Sequence, residues 1–121
     1  TPLASFARAQ WEEIGTKESG AFAVLYDRGR PIAQHRLFVE RFRDLALPEV
    51  RVALAVENER LTLSSDTFAW GVCLDVDGEV LLSDNCVDLL PGIPYTMPWR
   101  ADLGEPRVVR MGNALRSRAP R

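Results

Sequence analysis

The sequence predicts an all-β fold, an antiparallel β-sandwich of about seven to nine short strands. Apolar residues alternate with polar or small ones over Val50–Val56 and Phe68–Val76. This period of two is typical of a strand that buries one face. Turn-forming residues separate the apolar runs at intervals of roughly ten residues, and no helical pattern intervenes. Such spacing favours a sandwich over a βαβ fold.

The N-terminal part of the chain is predicted to contain a hairpin. Its strands are Ala21–Tyr26 and Ile32–Val39, joined by Arg28-Gly29, where Gly tolerates the positive φ that a tight turn requires. Upstream, Phe6–Trp11 is a candidate first strand, although Arg8–Ile14 also fits a short helix.

The remaining elements follow the same logic of strand, turn and strand. Asn58-Glu59 separates a strand predicted over Val50–Val56 from one over Leu61–Leu63. Asp77-Gly78 lies between Phe68–Val76 and Val80–Leu82 and predicts a hairpin, because both central residues of such a turn must tolerate positive φ. Three prolines restrict Pro91–Trp99 to a loop or an edge strand. Arg107–Met111 is the predicted last strand.

Domain organisation follows from the connector Leu45–Pro48. Residues 1–47 are predicted to hold the N-terminal strands and connector, either as the end of a preceding β-domain or as part of the sandwich. Residues 48–115 form the predicted core, and residues 116–121, basic and containing proline, a frayed tail.

Composition excludes several classes of function. The chain has 121 residues, 46% of them hydrophobic, and a net charge of −2. A domain of this size can bury a core without disulfides, and the charge gives no electrostatic footprint for nucleic acid. No apolar run approaches the ~20 residues of a membrane span. The chain begins at Thr1 rather than at a methionine, and we expect it to be trimmed from a longer protein.

The most distinctive segment is Ser83–Pro94, which reads SDNCVDLLPGIP. Physical reasoning predicts a structural corner in which Asp and Asn cap turns, leucines fill the core, Pro-Gly reverses the chain and a tyrosine bonds back to upstream backbone. The predicted corner residues are Asp84, Asn85, Asp88, Leu89, Leu90, Pro91, Gly92 and Tyr95.

This segment resembles the SDN-aromatic-x-DLLPGE signature of the last immunoglobulin-like domain of β-mannosidases in glycoside hydrolase family 2. The connector before Pro48, the Leu63–Asp66 step and the Trp70–Val76 strand agree with that family in order and spacing. The chain departs from it at Cys86, where the family often has a large aromatic, and at Ile93, where it has Glu. The resemblance implies an immunoglobulin-like sandwich that follows a catalytic barrel.

Carboxylates near the motif are the only candidates for acid–base chemistry: Asp75, Asp77, Glu79, Asp84 and Asp88. Glycoside hydrolysis needs two carboxylates about 5–10 Å apart in a cleft, but Asp at turns ordinarily bonds backbone. We therefore expect no catalytic residue, no cofactor and no metal. An irregular calcium site over Asp75–Glu79 is the alternative, since the spacing does not fit an EF-hand.

The cysteines and the single histidine give no strong site. His35, Cys73 and Cys86 lie in three separate segments, which argues against zinc and against a Cys–His dyad. Two free, half-buried thiols are expected. The alternative is a disulfide, which requires Cα atoms closer than about 7 Å.

Tryptophans raise the question of carbohydrate binding, because an aromatic face can stack on a sugar ring. Trp70 alternates with the core set and is expected to be buried. Trp99, in an irregular segment, is the best exposed candidate for contact with a sugar or with another domain, and Trp11 is the second.

Taken with the resemblance, these features predict a non-catalytic C-terminal accessory module of a β-mannosidase-like hydrolase. The parent would hydrolyse terminal β-mannosides with two glutamates on a barrel too large for this chain. Its expected partners are the parent's other domains and carbohydrate, with no nucleic acid and no membrane. The alternative is a stand-alone carbohydrate-binding module or a protein-interaction domain.

Overall fold

The computed structural model describes residues 8–117. The chain divides into two compact units, Thr1–Ala46 and Leu47–Arg121. The described residues contain seven strands, all paired antiparallel. Neither helix in that part of the chain has the length and hydropathy needed to cross a membrane. The predicted all-β class is confirmed.

The first element that the structure describes is a helix, α1, at Arg8–Ile14. The strand predicted over Phe6–Trp11 is therefore wrong for residues 8–11, where the helix named as its alternative is observed, and Phe6 lies outside the described residues. Gly15 ends the helix, because its N–H donates to the Trp11 carbonyl at 3.0 Å and its φ of 108° lies in a region that favours glycine.

The predicted N-terminal hairpin is confirmed. It consists of β1, Ala21–Asp27, and β2, Arg30–Leu37. Arg28 and Gly29 form the turn with φ of 47° and 78°, the double positive φ that suits the twist of a two-residue hairpin.

Aromatic rings pack around the base of this hairpin. The Phe38 ring meets Phe22 and Phe42 edge-on, with centroids 5.9 Å and 5.4 Å apart, and the Arg36 guanidinium lies 4.7 Å from the Phe42 centroid. Gly20 allows this approach, because a Cβ there would lie 2.3 Å from a Phe38 ring carbon. Such edge-on pairs add to the stability that burial provides.

The second unit contains two sheets. One has the order β3-β4-β7 and the other pairs β5 with β6. A short helix, α2, follows them. The bounds are β3 Ala53–Glu57, β4 Arg60–Ser64, β5 Ala69–Val72, β6 Val87–Leu89, β7 Tyr95–Pro98 and α2 Gly112–Ser117.

A single hydrophobic core joins these two sheets, which confirms the sandwich. Its buried side chains come from both: Leu61, Leu63 and Met97 from the first sheet, Ala69, Val72, Val87 and Leu89 from the second, with Leu74 and Trp99 beside them. At roughly 25 cal/mol per Å² of apolar surface removed from water, this burial is the main stabilising term of the unit.

Strand β5 contains a bulge that the alternation pattern did not predict. The pairing register shifts between Ala69 and Val72, and Gly71 in between has φ of 56°. One extra residue in a strand moves later side chains to the other face. Ala69 and Val72 are therefore both buried, whereas Trp70, expected in the core, is half-buried.

Two predicted strands are wrong. Val80–Leu82 forms no strand, and β5 pairs with Val87–Leu89 instead; the Asp75 carboxylate accepts from the Val80 N–H at 2.9 Å and holds that segment as a turn. Arg107–Met111 contributes only an isolated bridge to Cys73. By contrast, β7 lies at the edge of its sheet, as predicted for the proline-restricted Pro91–Trp99.

The C-terminal segment predicted as a frayed tail is only partly described. Residues 116 and 117 belong to α2, and residues 118–121 lie outside the described part of the chain.

Candidate functional site

The centre of the Ser83–Pro94 segment is a tight turn. The Ile93 N–H donates to the Leu90 carbonyl at 3.1 Å, and Gly92 has φ of 69°. Proline before a glycine with positive φ is the pattern of a type II turn. The Gly92 N–H donates to the Ser65 carbonyl at 2.8 Å, which ties the turn to the end of β4. Leu89 and Leu90 are 0% and 1% exposed and fill the core beneath it.

Two polar side chains of the corner act as substitutes for backbone. The Asn85 amide accepts from the Leu74 N–H at 2.8 Å and donates to the Asp75 carbonyl at 2.5 Å. Asp88 accepts from the Gly71 N–H at 2.9 Å. They satisfy backbone groups that the bulge and the end of the β5–β6 ladder leave without a strand partner.

Tyr95 closes the corner through a carboxylate. Its hydroxyl donates to Asp84, whereas the sequence argument predicted a backbone acceptor. Burial raises the pKa of Tyr95 to about 12, with the hydrogen bond and the negative charge of Asp84 as further causes. The other Asp84 oxygen accepts from the Asn85 N–H at 2.9 Å.

Acidic side chains of the preceding loop shape its turn. Asp75 accepts from the N–H groups of Asp77 and Val80, at 3.2 Å and 2.9 Å. The same loop lines an open pocket of about 480 Å³. Glu79 borders this pocket, and Arg107 contributes a positive charge to its lining. Among the described residues, no group of three or more His, Cys, Asp or Glu side chains could hold a metal ion.

The tryptophans do not provide the expected platform. Trp99 is only 6% exposed, and its indole N–H donates to the Gly104 carbonyl at 2.9 Å. The predicted exposure of Trp99 is therefore wrong. The segment before it forms the edge strand β7 rather than an irregular loop, and the Trp99 side chain packs into the core between the two sheets. Trp11 is half-buried in α1, in the other unit.

Comparison with known proteins identifies the second unit. The family model for the Ig-fold domain of mannosidases, Ig_mannosidase, matches residues 45–109, more than half of the chain. The chain belongs to this family. The matched residues of the mannosidase Ig-fold domain include both sheets of the sandwich and the whole corner, but neither β1–β2 nor α2. Comparison with curated proteins gives no match.

A buried asparagine of the second unit, just beyond the matched residues, was missed by sequence reasoning. Asn113 is 1% exposed. Its carbonyl oxygen accepts from the Trp70 N–H at 2.8 Å, and its amide nitrogen donates to the carbonyls of Pro48 and Phe68, both at 3.0 Å. It therefore links α2, β5 and the segment before β3. Sequence reasoning could not predict these hydrogen bonds, because the partners of Asn113 are more than 40 residues away and no motif surrounds it.

The two thiols of the domain lie side by side. Cys73 and Cys86 are free, and their sulfur atoms are 2.9 Å apart. Burial raises the pKa of the Cys73 thiol to about 11, and its contact with Cys86 acts in the same direction. Both thiols were expected to be half-buried, which holds for Cys73 but is wrong for Cys86, which is exposed.

Proposed function

We propose that this chain is a non-catalytic, C-terminal accessory module of a β-mannosidase-like glycoside hydrolase whose parent enzyme hydrolyses terminal β-mannosides. The family membership of residues 45–109 is the observation that carries the proposal. In the parent, the sandwich stabilises the arrangement of the domains. The retaining mechanism with two glutamates belongs to a separate catalytic barrel of roughly 250 residues, which is larger than this chain.

The environment of the acidic residues supports a non-catalytic role. A general acid or nucleophile must present its carboxylate to the substrate. Asp75, Asp84 and Asp88 instead each accept hydrogen bonds from the backbone of the corner or its neighbouring loop. They contribute to folding rather than to a reacting pair.

Activity of the purified 121-residue chain tests this assignment. We expect no turnover of an aryl β-mannoside above the buffer rate, and turnover by the parent enzyme assayed in parallel. Measurable hydrolysis by the chain alone contradicts the non-catalytic role. A parent that cleaves another aryl glycoside but not the β-mannoside contradicts the substrate.

The other domains of the parent are the proposed partners. Within the first unit, β1–β2 exposes large apolar side chains: Leu25 and Leu37 are 60% and 58% exposed. The pairing of Leu25 with Ala33 and of Leu37 with Ala21 puts these side chains on one face. An apolar face of this kind is typical of a docking surface.

Association of the separately produced chain with the rest of the parent tests this partner. The Leu25→Glu substitution should weaken association at least about tenfold, because it puts a charge into an apolar contact. Leu81→Glu is the matched control, since Leu81 is 83% exposed but lies outside the hairpin. Equal affinity of the two variants contradicts docking through β1–β2.

The alternative, a carbohydrate-binding module, is less well supported. Its preferred aromatic, Trp99, is 6% exposed and bonded through its indole N–H. Titration with manno-oligosaccharides, followed by tryptophan fluorescence, distinguishes the two. We expect no saturable change, and a saturable change that is lost in Trp11→Ala favours the alternative.

A further inference from the structure

Cys73 and Cys86 lie directly beyond the last residue pair of two strands. The β5–β6 ladder ends at Val72 paired with Val87, and each cysteine is the next residue outward. Cys86 has φ of 56°, so the extended strand does not continue through it, and the observation that defines the pair is the distance of 2.9 Å between the two sulfur atoms.

The backbone holds both thiols in this arrangement. Cys73 donates from its N–H to the Arg110 carbonyl at 2.8 Å and accepts from the Val109 N–H at 2.9 Å. Cys86 lies between Asn85, whose side chain makes two hydrogen bonds to residues 74 and 75, and the first residue of β6. The sulfur atoms meet at 2.9 Å as a consequence, so little rearrangement separates the thiol pair from a bonded pair.

We propose that Cys73 and Cys86 are a reversible oxidation site, which forms an intramolecular disulfide on reaction with a low-molecular-weight disulfide such as oxidised glutathione. Cys86, the exposed thiol, loses its proton and attacks one sulfur of the oxidant, which releases one small thiol. Cys73 then loses its proton and attacks the Cys86 sulfur, which releases the second small thiol. The protein gives up two protons and two electrons, and with them one small disulfide becomes two thiols.

The order of the two attacks follows from the surroundings of each sulfur. Cys86 is open to solvent and Cys73 is half-buried. Burial and the neighbouring thiol raise the pKa of Cys73 to about 11, so few Cys73 thiolates exist at neutral pH to react first with an external oxidant. Once Cys86 carries the mixed disulfide, the short distance between the sulfurs favours attack by Cys73 over attack by a second small thiol.

Oxidation would close a loop from Cys73 to Cys86 that contains the Asp75–Glu79 turn. Restricting a loop of this length in the unfolded chain raises the melting temperature, here by at least about 5 °C. The oxidised form would also hold the wall of the pocket that Asp75 and Val80 line.

The test uses the 121-residue chain, incubated with excess oxidised glutathione, quenched with acid and alkylated. Intact-mass analysis should show the loss of two hydrogens with no alkyl group and no glutathione adduct. A reducing agent should restore two alkylatable thiols, and the melting temperature should rise on oxidation. Since the chain has two cysteines, a monomer on non-reducing electrophoresis proves that the bond is intramolecular.

The matched variants are Cys73→Ser and Cys86→Ser. The first should stop at a stable glutathione adduct on Cys86, and the second should react more slowly than the first. The proposal is overturned if the wild-type chain accumulates a glutathione adduct, forms disulfide-linked dimers or keeps both thiols. Because the wild-type result decides the matter, failure of a variant to fold leaves the test intact.

Discussion

The buried amide of Asn113 offers the sharpest test of how the second unit is held together. Its oxygen faces one donor, the Trp70 N–H, and its nitrogen faces two acceptors, the carbonyls of Pro48 and Phe68. Asn113→Asp keeps the shape and the first bond, but it turns the donor end into a carboxylate oxygen that faces two carbonyls.

The expected loss is large. An unsatisfied buried backbone group costs about 1–3 kcal/mol, and Asn113→Ala leaves three such groups without their partner. Because water can form hydrogen bonds with some of these groups, the free energy of unfolding should fall by roughly 3–5 kcal/mol. Asn113→Asp should lose at least about 3 kcal/mol at pH 7, because its charge is buried against acceptors. Domains of this size have about 5–15 kcal/mol in total.

The pH dependence separates the two variants. In Asn113→Asp, burial raises the folded-state pKa of the new carboxyl above its unfolded value of about 3.9. The neutral acid can donate to one of the carbonyls, so the deficit should shrink as the pH falls from 7 to 5. Asn113→Ala has no such group, and its deficit relative to wild type should stay constant over that range.

Urea denaturation followed by far-UV circular dichroism measures these differences, and amide hydrogen exchange at Trp70 reports the bond directly. Asn58→Asp is the matched control, the same chemical change at an exposed turn residue with φ of 49°, and it should shift stability by less than about 0.5 kcal/mol. An Asn113→Asp variant as stable as Asn58→Asp at pH 7 would refute the reasoning.

Two further predictions concern the corner and its neighbours. Gly112→Ala should lower the free energy of unfolding by about 2 kcal/mol or more, because the new Cβ would lie 2.2 Å from the Trp70 ring. Gly92→Ala should lower it by about 1 kcal/mol, because the new Cβ would meet no atom within 4 Å but the backbone φ is 69°. Equal losses for the two variants in urea denaturation would contradict this difference. The wild-type domain should lose stability as the pH rises from 10.0 to about 12, because the folded-state pKa of Tyr95 is raised and the Asp84 bond requires the neutral phenol. Tyr95→Phe should be less stable by about 1 kcal/mol at pH 7 and lack this part of the alkaline decline, so parallel curves would count against the bond.

Local sequence patterns predicted much of the fold. The alternation in Val50–Val56 located β3, and the turn residues Arg28-Gly29 and Asn58-Glu59 located two hairpins. The Pro91-Gly92 dipeptide predicted the reversal at the corner. Each of these signals depends on neighbours in the chain, such as the φ preference of glycine or the period of a strand.

The errors fall where distant residues compete. Val80–Leu82 has the composition of a strand, but Val87–Leu89 takes its place beside β5. Trp99 follows a proline and was expected at the surface, yet packing with the core of both sheets buries it. In both cases local preference was overridden by burial, which depends on the whole arrangement of the sheets.

The sequence by itself determined the fold class, the positions of most turns and the family to which the corner belongs, because these depend on periodicity and on residues adjacent in the chain. Only the tertiary structure revealed the links of Asn113 to Pro48 and Phe68, which are 65 and 45 residues away, the acceptor of Tyr95 and the meeting of Cys73 with Cys86. These contacts arise because folding brings distant segments together to satisfy buried polar groups, and no local pattern encodes which segments will meet.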